Sequence, residues 1–307
     1  MDWKDDIDAN LWVFPRGMKR NGEVGPNSMA WTSTYGSVIA TAWDISTVDG
    51  MNEKGLVANM LWLVESQYPK FDKNGNRKGI AVSLWAQYVL DNFATVAEAV
   101  AALQSEPFDV VTDYIPGTKK LTTVHLSLSD ASGDNAIFEY IGGKLVIHHD
   151  PDYIVMTNSP TYDEQLAILK YWKDVPGTIH LPGTNRATDR YVRAHYYIQA
   201  IPQTDNTQVA LASVLSVIRN CSVPYGISSP QQPEISNTKW RSICDHKNLT
   251  YYFETALTPN TLWVDLRKFN LSEKGQVRKL TLAGGEIYAG ETSAKFVRSA
   301  PFQFLGL

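Results

Sequence analysis

The sequence predicts an α+β fold, one domain with two antiparallel sheets face to face and helices outside. Three observations carry this expectation. β-Branched and aromatic runs come in successive groups separated by turn residues, rather than alternating singly with helices. Stretches of helical periodicity near 80–105 and 162–219 divide those groups, giving the order sheet, helices, sheet, helices, sheet. No linker, internal repeat or low-complexity tract separates the blocks.

The first 35 residues are aromatic, Gly-rich and Pro-rich, and read as a short strand near 11–14 followed by a loop. Residues 36–43 (GSVIATAW) read as a strand, 49–55 (DGMNEKG) as a turn, and 56–63 as the strand completing a hairpin. Residues 66–79 are polar around Asn74-Gly75-Asn76, a surface loop. Leu84, Trp85, Tyr88, Val89 and Phe93 then recur at helical spacing. Thr95-Val96-Ala97-Glu98 is a capping box opening a second helix through Val100 and Leu103, and Pro107 closes the block. Residues 121–129 alternate, and strands follow at 136–141 and 145–149 across the Gly142-Gly143 turn. A fourth strand at 153–157 completes an antiparallel meander ending at Thr157-Asn158-Ser159-Pro160. Tyr162, Leu166, Leu169 and Trp172 mark a helix, and a Gly/Pro loop follows around Pro176-Gly177 and Pro182-Gly183. Residues 187–201 and 205–219 read as helices, the second with Asp205 as N-cap. Residues 238–267 are β again, and the tail is loop with one strand at 279–282.

Composition narrows the function classes. The 307 residues are 44% hydrophobic and 20% charged, as in a globular protein. The net charge of −4 argues against nucleic acid as a partner, since phosphate binding needs a basic surface. No run of 18 apolar residues suggests a membrane span. Met1 to Asp6 are polar and acidic, without a secretory or lipidation signal. Two cysteines do not make a disulfide scaffold. There is no Gly-x-Gly-x-x-Gly, P-loop, His-Glu-x-x-His or Gly-x-Ser-x-Gly.

Weaker constellations carry two readings each. His148-His149-Asp150 has metal-capable side chains, but adjacent strand residues face opposite sides, so a surface turn is expected and no metal. Cys221 and Cys244 read as small hydrophobes. Trp85 and Trp172 lie on helix faces and read as core. Trp3, Trp12, Trp31 and Trp62 lie at loop or strand ends and read as pocket walls or core. Asn158 leaves a strand just before Ser-Pro and is either a turn residue or a donor to a developing oxyanion. Arg190 and Arg193, three apart near a helix start, alone read as a solvated basic face.

Seven segments run nearly from end to end in a familiar order: Met1-Asp2-Trp3, 10–17 (NLWVFPRG), 49–56 (DGMNEKGL), 157–160 (TNSP), 181–194 (LPGTNRATDRYVRA), 222–228 (SVPYGIS) and 251–265 (YYFETALTPNTLWVD). Together they resemble the choloylglycine hydrolase family, which holds conjugated bile salt hydrolases and penicillin V acylases. The last three resemble most the branch found in Gram-negative bacteria. The resemblance implies an N-terminal nucleophile hydrolase, a four-layer αββα sandwich without a cofactor. In that family a Cys at the mature N-terminus attacks a linear amide, its own α-amino group shuttles the proton, and an acyl-enzyme forms that water releases.

Carried over by residue, the resemblance gives Asp2 the orientation of the α-amino group and places the Asn158 amide in the oxyanion hole, worth ~3 kcal/mol. It sets Arg190 beside the nucleophile, where a cation favours the thiolate. Trp3 and Trp62 become an apolar wall against the acyl or steroid part of a small-molecule amide, a conjugated bile salt or a penicillin V-like compound. A second oxyanion donor has no counterpart between 60 and 68. The family's nucleophile lies about twenty residues before this Asp, and an Arg that also lines the site lies shortly before it. Neither is present here, so the chain as written is expected to lack its first strand and nucleophilic catalysis. Three readings stand: a family amidohydrolase whose sequence begins too late, a catalytically dead protein binding acyl or bile-salt-like ligands, and a metal-dependent hydrolase using His148 and Asp150. Family members are often homotetramers, which the sequence leaves open. It also leaves open a periplasmic, secreted or cytoplasmic location.

Overall fold

The computed structural model describes residues 1–307 except 174, 176–179, 231–234 and 259. The chain opens with a two-residue strand, β1 (Asp2–Trp3), followed by β2 (Leu11–Phe14) and a small hairpin of β3 (Lys19–Asn21) and β4 (Ala30–Thr32). Next come β5 (Ser37–Ala42), β6 (Ser46–Asn52) and β7 (Val57–Trp62), a meander in which every residue of β5 is buried. After β8 (Gly79–Ala81) and a 3₁₀ turn, α1 (Trp85–Asn92) and α2 (Val96–Leu103) follow. Thr95 caps α2 as expected, with Glu98 N donating to its Oγ1 (3.2 Å), while Glu98 Oε2 accepts from Ala94 N (2.8 Å), one residue before the N-cap. A short β9 (Asp109–Val111) pairs with β8 in parallel.

The second run of strands is β10 (Val124–Ser129), β11 (Asn135–Ile141) and β12 (Lys144–His149). Three helices follow, α3 (Tyr162–Lys173), α4 (Ala187–Ala200) and α5 (Thr207–Asn220). The last third holds β13 (Asn237–Thr238), β14 (Trp240–Asp245), β15 (Thr250–Thr255), β16 (Leu262–Asp265), β17 (Arg278–Leu280), β18 (Gly290–Glu291) and β19 (Val297–Arg298).

These strands assemble into a nine-stranded antiparallel sheet, in the order β12-β11-β10-β7-β6-β5-β2-β17-β19, and a four-stranded sheet, β14-β15-β16-β18. One apolar core contains residues of both, including Leu11, Val38, Ile39 and Met51 from the first and Trp240, Tyr251, Phe253 and Val264 from the second. Asp49 of β6 ties the sheets together, accepting hydrogen bonds from Ser242 Oγ and from Tyr251 Oη (2.8 Å). On the nine-stranded sheet α1 packs over β6 and β7, and α5 packs against β14. Burial of the central strands on both faces explains why β5 reads as a continuous apolar run.

The structure corrects the sequence expectation at several points. Asp49-Gly50, read as a turn, lies inside β6. Asp49 is there for the two hydroxyls it meets. Gly50 is there because a Cβ would come within 2.7 Å of Val38 O and 2.8 Å of Ile39 Cγ2. Residues 153–157 form no strand: Tyr153, Val155 and Met156 pack toward Tyr162, Leu169 and Tyr191 instead of extending the sheet. The sheet predicted at 238–267 is mixed, because β18 joins β16 in parallel. The tail holds three short strands instead of one, with Arg278–Leu280 overlapping the expected 279–282. Pro176-Gly177 of the Gly/Pro loop lies outside the described residues.

The α5 cap is Asn206, not Asp205: its Oδ1 accepts from Gln208 N (3.0 Å) and Val209 N (3.2 Å). Asn206→Ala is therefore expected to lower stability by about 1 kcal/mol in urea unfolding, with Asp205→Ala within about 0.5 kcal/mol of the parent. Equal losses would put the cap at the wrong residue.

Candidate active site

Asp2 pairs across β1 and β13 with Thr238, whose Oγ1 donates to Asp2 Oδ1 (2.6 Å). The second carboxylate oxygen faces Arg190 Nη1 at 3.3 Å. Arg190 lies in the first turns of α4, where its Nε donates to Asn185 O (3.1 Å), and its Nη2 donates to Asn158 Oδ1 (2.8 Å). One guanidinium thus joins the residues after β12, the start of α4 and the first strand of the chain.

This contact fixes the orientation of the Asn158 amide. A guanidinium has only donors, so the atom facing it is the amide oxygen. Nδ2 then points the other way and donates to Trp62 O (2.9 Å). Its second N–H has no partner among the described residues, on a side chain that lines the cavity. The turn around Asn158 is itself held by the buried Gln165 of α3, whose Nε2 donates to Asn158 O (2.6 Å) and Pro160 O (2.8 Å). The peptide bond between Ser159 and Pro160 is cis.

Trp3 and Trp62 meet edge to face with ring centroids 5.5 Å apart. Trp43 adds a third ring, 6.1 Å from Trp3, that sequence reasoning missed. Its backbone and that of Asp44 are left-handed (φ 51° and 50°). Asp44 secures that turn by accepting from Lys279 Nζ, Thr41 Oγ1, Trp12 Nε1 and Asn10 Nδ2. An aromatic residue followed by Asp at the end of a buried strand was the available signal.

Asp2, Trp3, Trp43, Trp62, Asn158 and Arg190 lie where two hollows meet. One is a cavity of about 500 Å³ running inward between the sheets past Val48, Leu128 and Trp240. The other, of about 1060 Å³, reaches exposed Lys4 and Lys120. All five residues singled out from the sequence therefore share one place. Trp12 and Trp31 do not join them: Trp12 is buried in the core, and Trp31 packs edge to face on Tyr88. Trp85 is core, as expected, whereas Trp172 is only half-buried.

Arg193 corrects the expected basic face. It is buried, and its Nη1 donates to Pro182 O (2.8 Å) and Thr184 O (3.0 Å), pinning the Gly/Pro loop. His148 and His149 do face opposite ways: His148 turns inward to Glu139 (3.5 Å) and His149 outward to Asp134 (2.9 Å). Between 60 and 68, Val64 N is bonded to Ser159 Oγ (3.1 Å) and Gln67 N to Tyr140 O (2.7 Å), so neither is free to act as a second donor.

Cys221 lines the cavity with its Sγ 3.6 Å from Arg190 O. Burial pushes its thiol up, against the opposing pull of Arg193 and Arg190. Burial pushes Cys244 well above the usual range, with Asp49 adding to the effect. A raised thiol pKa leaves less reactive thiolate near neutrality. Both cysteines should therefore react with a disulfide reagent at pH 8 at least tenfold more slowly in the folded protein than in denaturant. A thiol that reacts as fast as free cysteine in the folded protein would contradict this.

Residues 1–279 match the family of linear amide C-N hydrolases, choloylglycine hydrolase family. The chain is 52% identical to a penicillin V acylase of Pectobacterium atrosepticum, across 100% of this chain and 87% of the relative. It is 28% identical to a bile salt hydrolase/transferase of Clostridium perfringens, across 88% of each. The solved structure of a penicillin V acylase from Agrobacterium tumefaciens superposes with a TM-score of 0.93 at 58% identity, covering 100% of this chain and 94% of that one. A family match from residue 1 to 279, together with a full-length relative at 52% identity, establishes that the chain belongs to the choloylglycine hydrolase family of linear amide C-N hydrolases.

Proposed function

We propose that this protein hydrolyses linear amides of the penicillin V type, with an aromatic acyl group seated against Trp3 and Trp62. The observation that carries the reading is the Arg190 guanidinium ion-paired with Asp2 and hydrogen-bonded to Asn158 beside that aromatic wall. In this reading the acyl ring packs on the indoles and the amide carbonyl oxygen meets the unpaired N–H of Asn158 Nδ2. As the carbonyl carbon becomes tetrahedral, charge grows on that oxygen and the fixed amide dipole stabilises it. Arg190 keeps the amide from turning and contributes positive charge. Asp2 orients the amine of the attacking residue and stabilises its protonated form.

The attacking group in this reading is an N-terminal cysteine thiol preceding Asp2, outside these 307 residues. Cys221 and Cys244 do not replace it: neither carries a free α-amine, and burial raises the pKa of both thiols. Attack by sulfur and expulsion of the amine leave a thioester, which water cleaves to the free acid. The αββα layering and a single domain belong to the same reading. They are supported by the core shared between the sheets and by α1 and α5 packing on opposite sheets.

A second reading, a ligand-binding protein without turnover, draws on the burial of both cysteines, and the same assay separates the two. Phenoxyacetate, the acid that penicillin V hydrolysis would release, is expected to bind the 307-residue chain in calorimetry, with Trp62→Ala weakening binding at least fivefold. With a cysteine bearing a free α-amine ahead of Asp2, 6-aminopenicillanic acid should be released from penicillin V. There, Asn158→Ala should lower kcat by about 10²–10³ with KM little changed. Binding without turnover in that protein favours the second reading. Absence of binding by phenoxyacetate and by glycocholate to folded protein overturns both.

A further inference from the structure

Behind Asn158 lies a second polar chain with no part in the chemistry described so far. His125 on β10 is fully buried. Its Nδ1 stands 2.9 Å from Glu139 Oε1 on β11, and its Nε2 stands 2.7 Å from the Thr157 carbonyl oxygen. A carbonyl oxygen only accepts, so Nε2 carries a proton; Nδ1 carries one as well when Glu139 is ionised. With Glu139 ionised the geometry describes an imidazolium sealed inside the protein, its charge matched by one carboxylate.

Glu139 is that carboxylate. Both of its oxygens also accept from Tyr162 N (3.2 and 3.0 Å) at the first turn of α3. Burial pushes its pKa up, but hydrogen bonds from His125, His148 and Tyr162 N together hold it at about 2. From β12, His148 approaches Glu139 at 3.5 Å and Asp163 of α3 at 3.7 Å. The Tyr162 and Tyr191 phenols nearby are raised by burial and stay neutral. Thr157 is held on its other side as well, the single proton of its Oγ1 shared between Gln165 Oε1 (3.1 Å) and Ala187 O (3.0 Å).

Among the described residues, 153–157 have no strand partner, so their backbone lacks the ladder that fixes the strands beside them. Buried side chains supply what the ladder does not. We propose that His125, kept as an imidazolium by Glu139, is a positioning residue that clamps the Thr157 carbonyl and thereby sets the Asn158 amide at the mouth of the cavity. This rests on the reading of Asn158 as the group that meets the substrate oxygen. A neutral imidazole would present either a lone pair to Thr157 O or one to Glu139, and one of the two bonds would become a repulsion between acceptors.

The test uses ring-nitrogen correlation spectra of the ¹⁵N-labelled chain, with the Asn158 side-chain amide signals assigned in the same protein. The expected result is two protonated nitrogens on His125 at pH 7. In Glu139→Gln one of those protons is lost, and in His125→Phe the Asn158 amide signals shift, with His125→Gln, which keeps one donor, in between. A bare ring nitrogen on His125 at pH 7, or Asn158 signals unmoved in His125→Phe, overturns the proposal. Should His125→Phe not fold, the same measurement on His125→Gln decides. In protein that turns over penicillin V, His125→Phe should cut kcat at least tenfold with KM within twofold, and His125→Gln should restore part of it. An unchanged kcat also overturns it. If the spectra behave as expected while the parent shows no turnover with its N-terminal cysteine in place, the hydrolase reading fails and the clamp on Asn158 stands.

Discussion

Asp2 and Asn158, at the mouth of the cavity, are both held by one cation, Arg190. Its fork reaches an oxygen of Asp2 on one branch and the oxygen of Asn158 on the other. A lysine would be a point charge and would not hold both in a fixed plane. Because the guanidinium offers only donors, it settles which end of the Asn158 amide faces the cavity. Because its side chain is largely buried, these bonds compete little with water. The functional end of the site is therefore an electrostatic consequence of where α4 begins.

The rest of the fold delivers these groups to one place and keeps them there. The nine-stranded sheet brings Trp43 and Trp62, β13 supports Asp2, and α3 and α4 approach from the side with Gln165 and Arg190. The turn carrying Asn158 lies beyond the regular pairing of the sheet. Its carbonyls at 157, 158 and 160 are bonded to His125 and Gln165, both fully buried. An unpaired backbone oxygen buried from water costs free energy comparable to a lost hydrogen bond, so these side chains are as much part of the turn as its own residues. The indoles face an apolar cavity, which suits a ligand with an aromatic or alicyclic body and a single polar group at one end.

Much of this was legible in the sequence. The N-cap at Thr95, the periodic helices and most of the expected strands depend on local patterns, and they appear where those patterns put them. Asp2, Trp3, Asn158 and Arg190 are legible through short segments resembling a family and Trp62 through its strand, and they converge. What was not legible depended on partners distant in sequence. Asp49-Gly50 has turn composition, yet Ser242 and Tyr251, about two hundred residues on, give the carboxylate a place inside a strand. Arg193 looked like surface charge because the carbonyls it bonds lie in a loop that no periodicity describes. His125 falls on the polar phase of its strand, with Ser127 and Ser129, and nothing local singles it out. Only the fold shows that it faces Glu139.

The most direct measurement of the central claim is a crystal structure of the protein with phenoxyacetate bound. The account predicts the ring packed on Trp3 and Trp62 and one carboxylate oxygen roughly 3 Å from Asn158 Nδ2. It also predicts that Arg190 remains bonded to Asn158 Oδ1 and Asp2. A ligand seated elsewhere, or an Asn158 amide turned so that its oxygen faces the ligand, would contradict it.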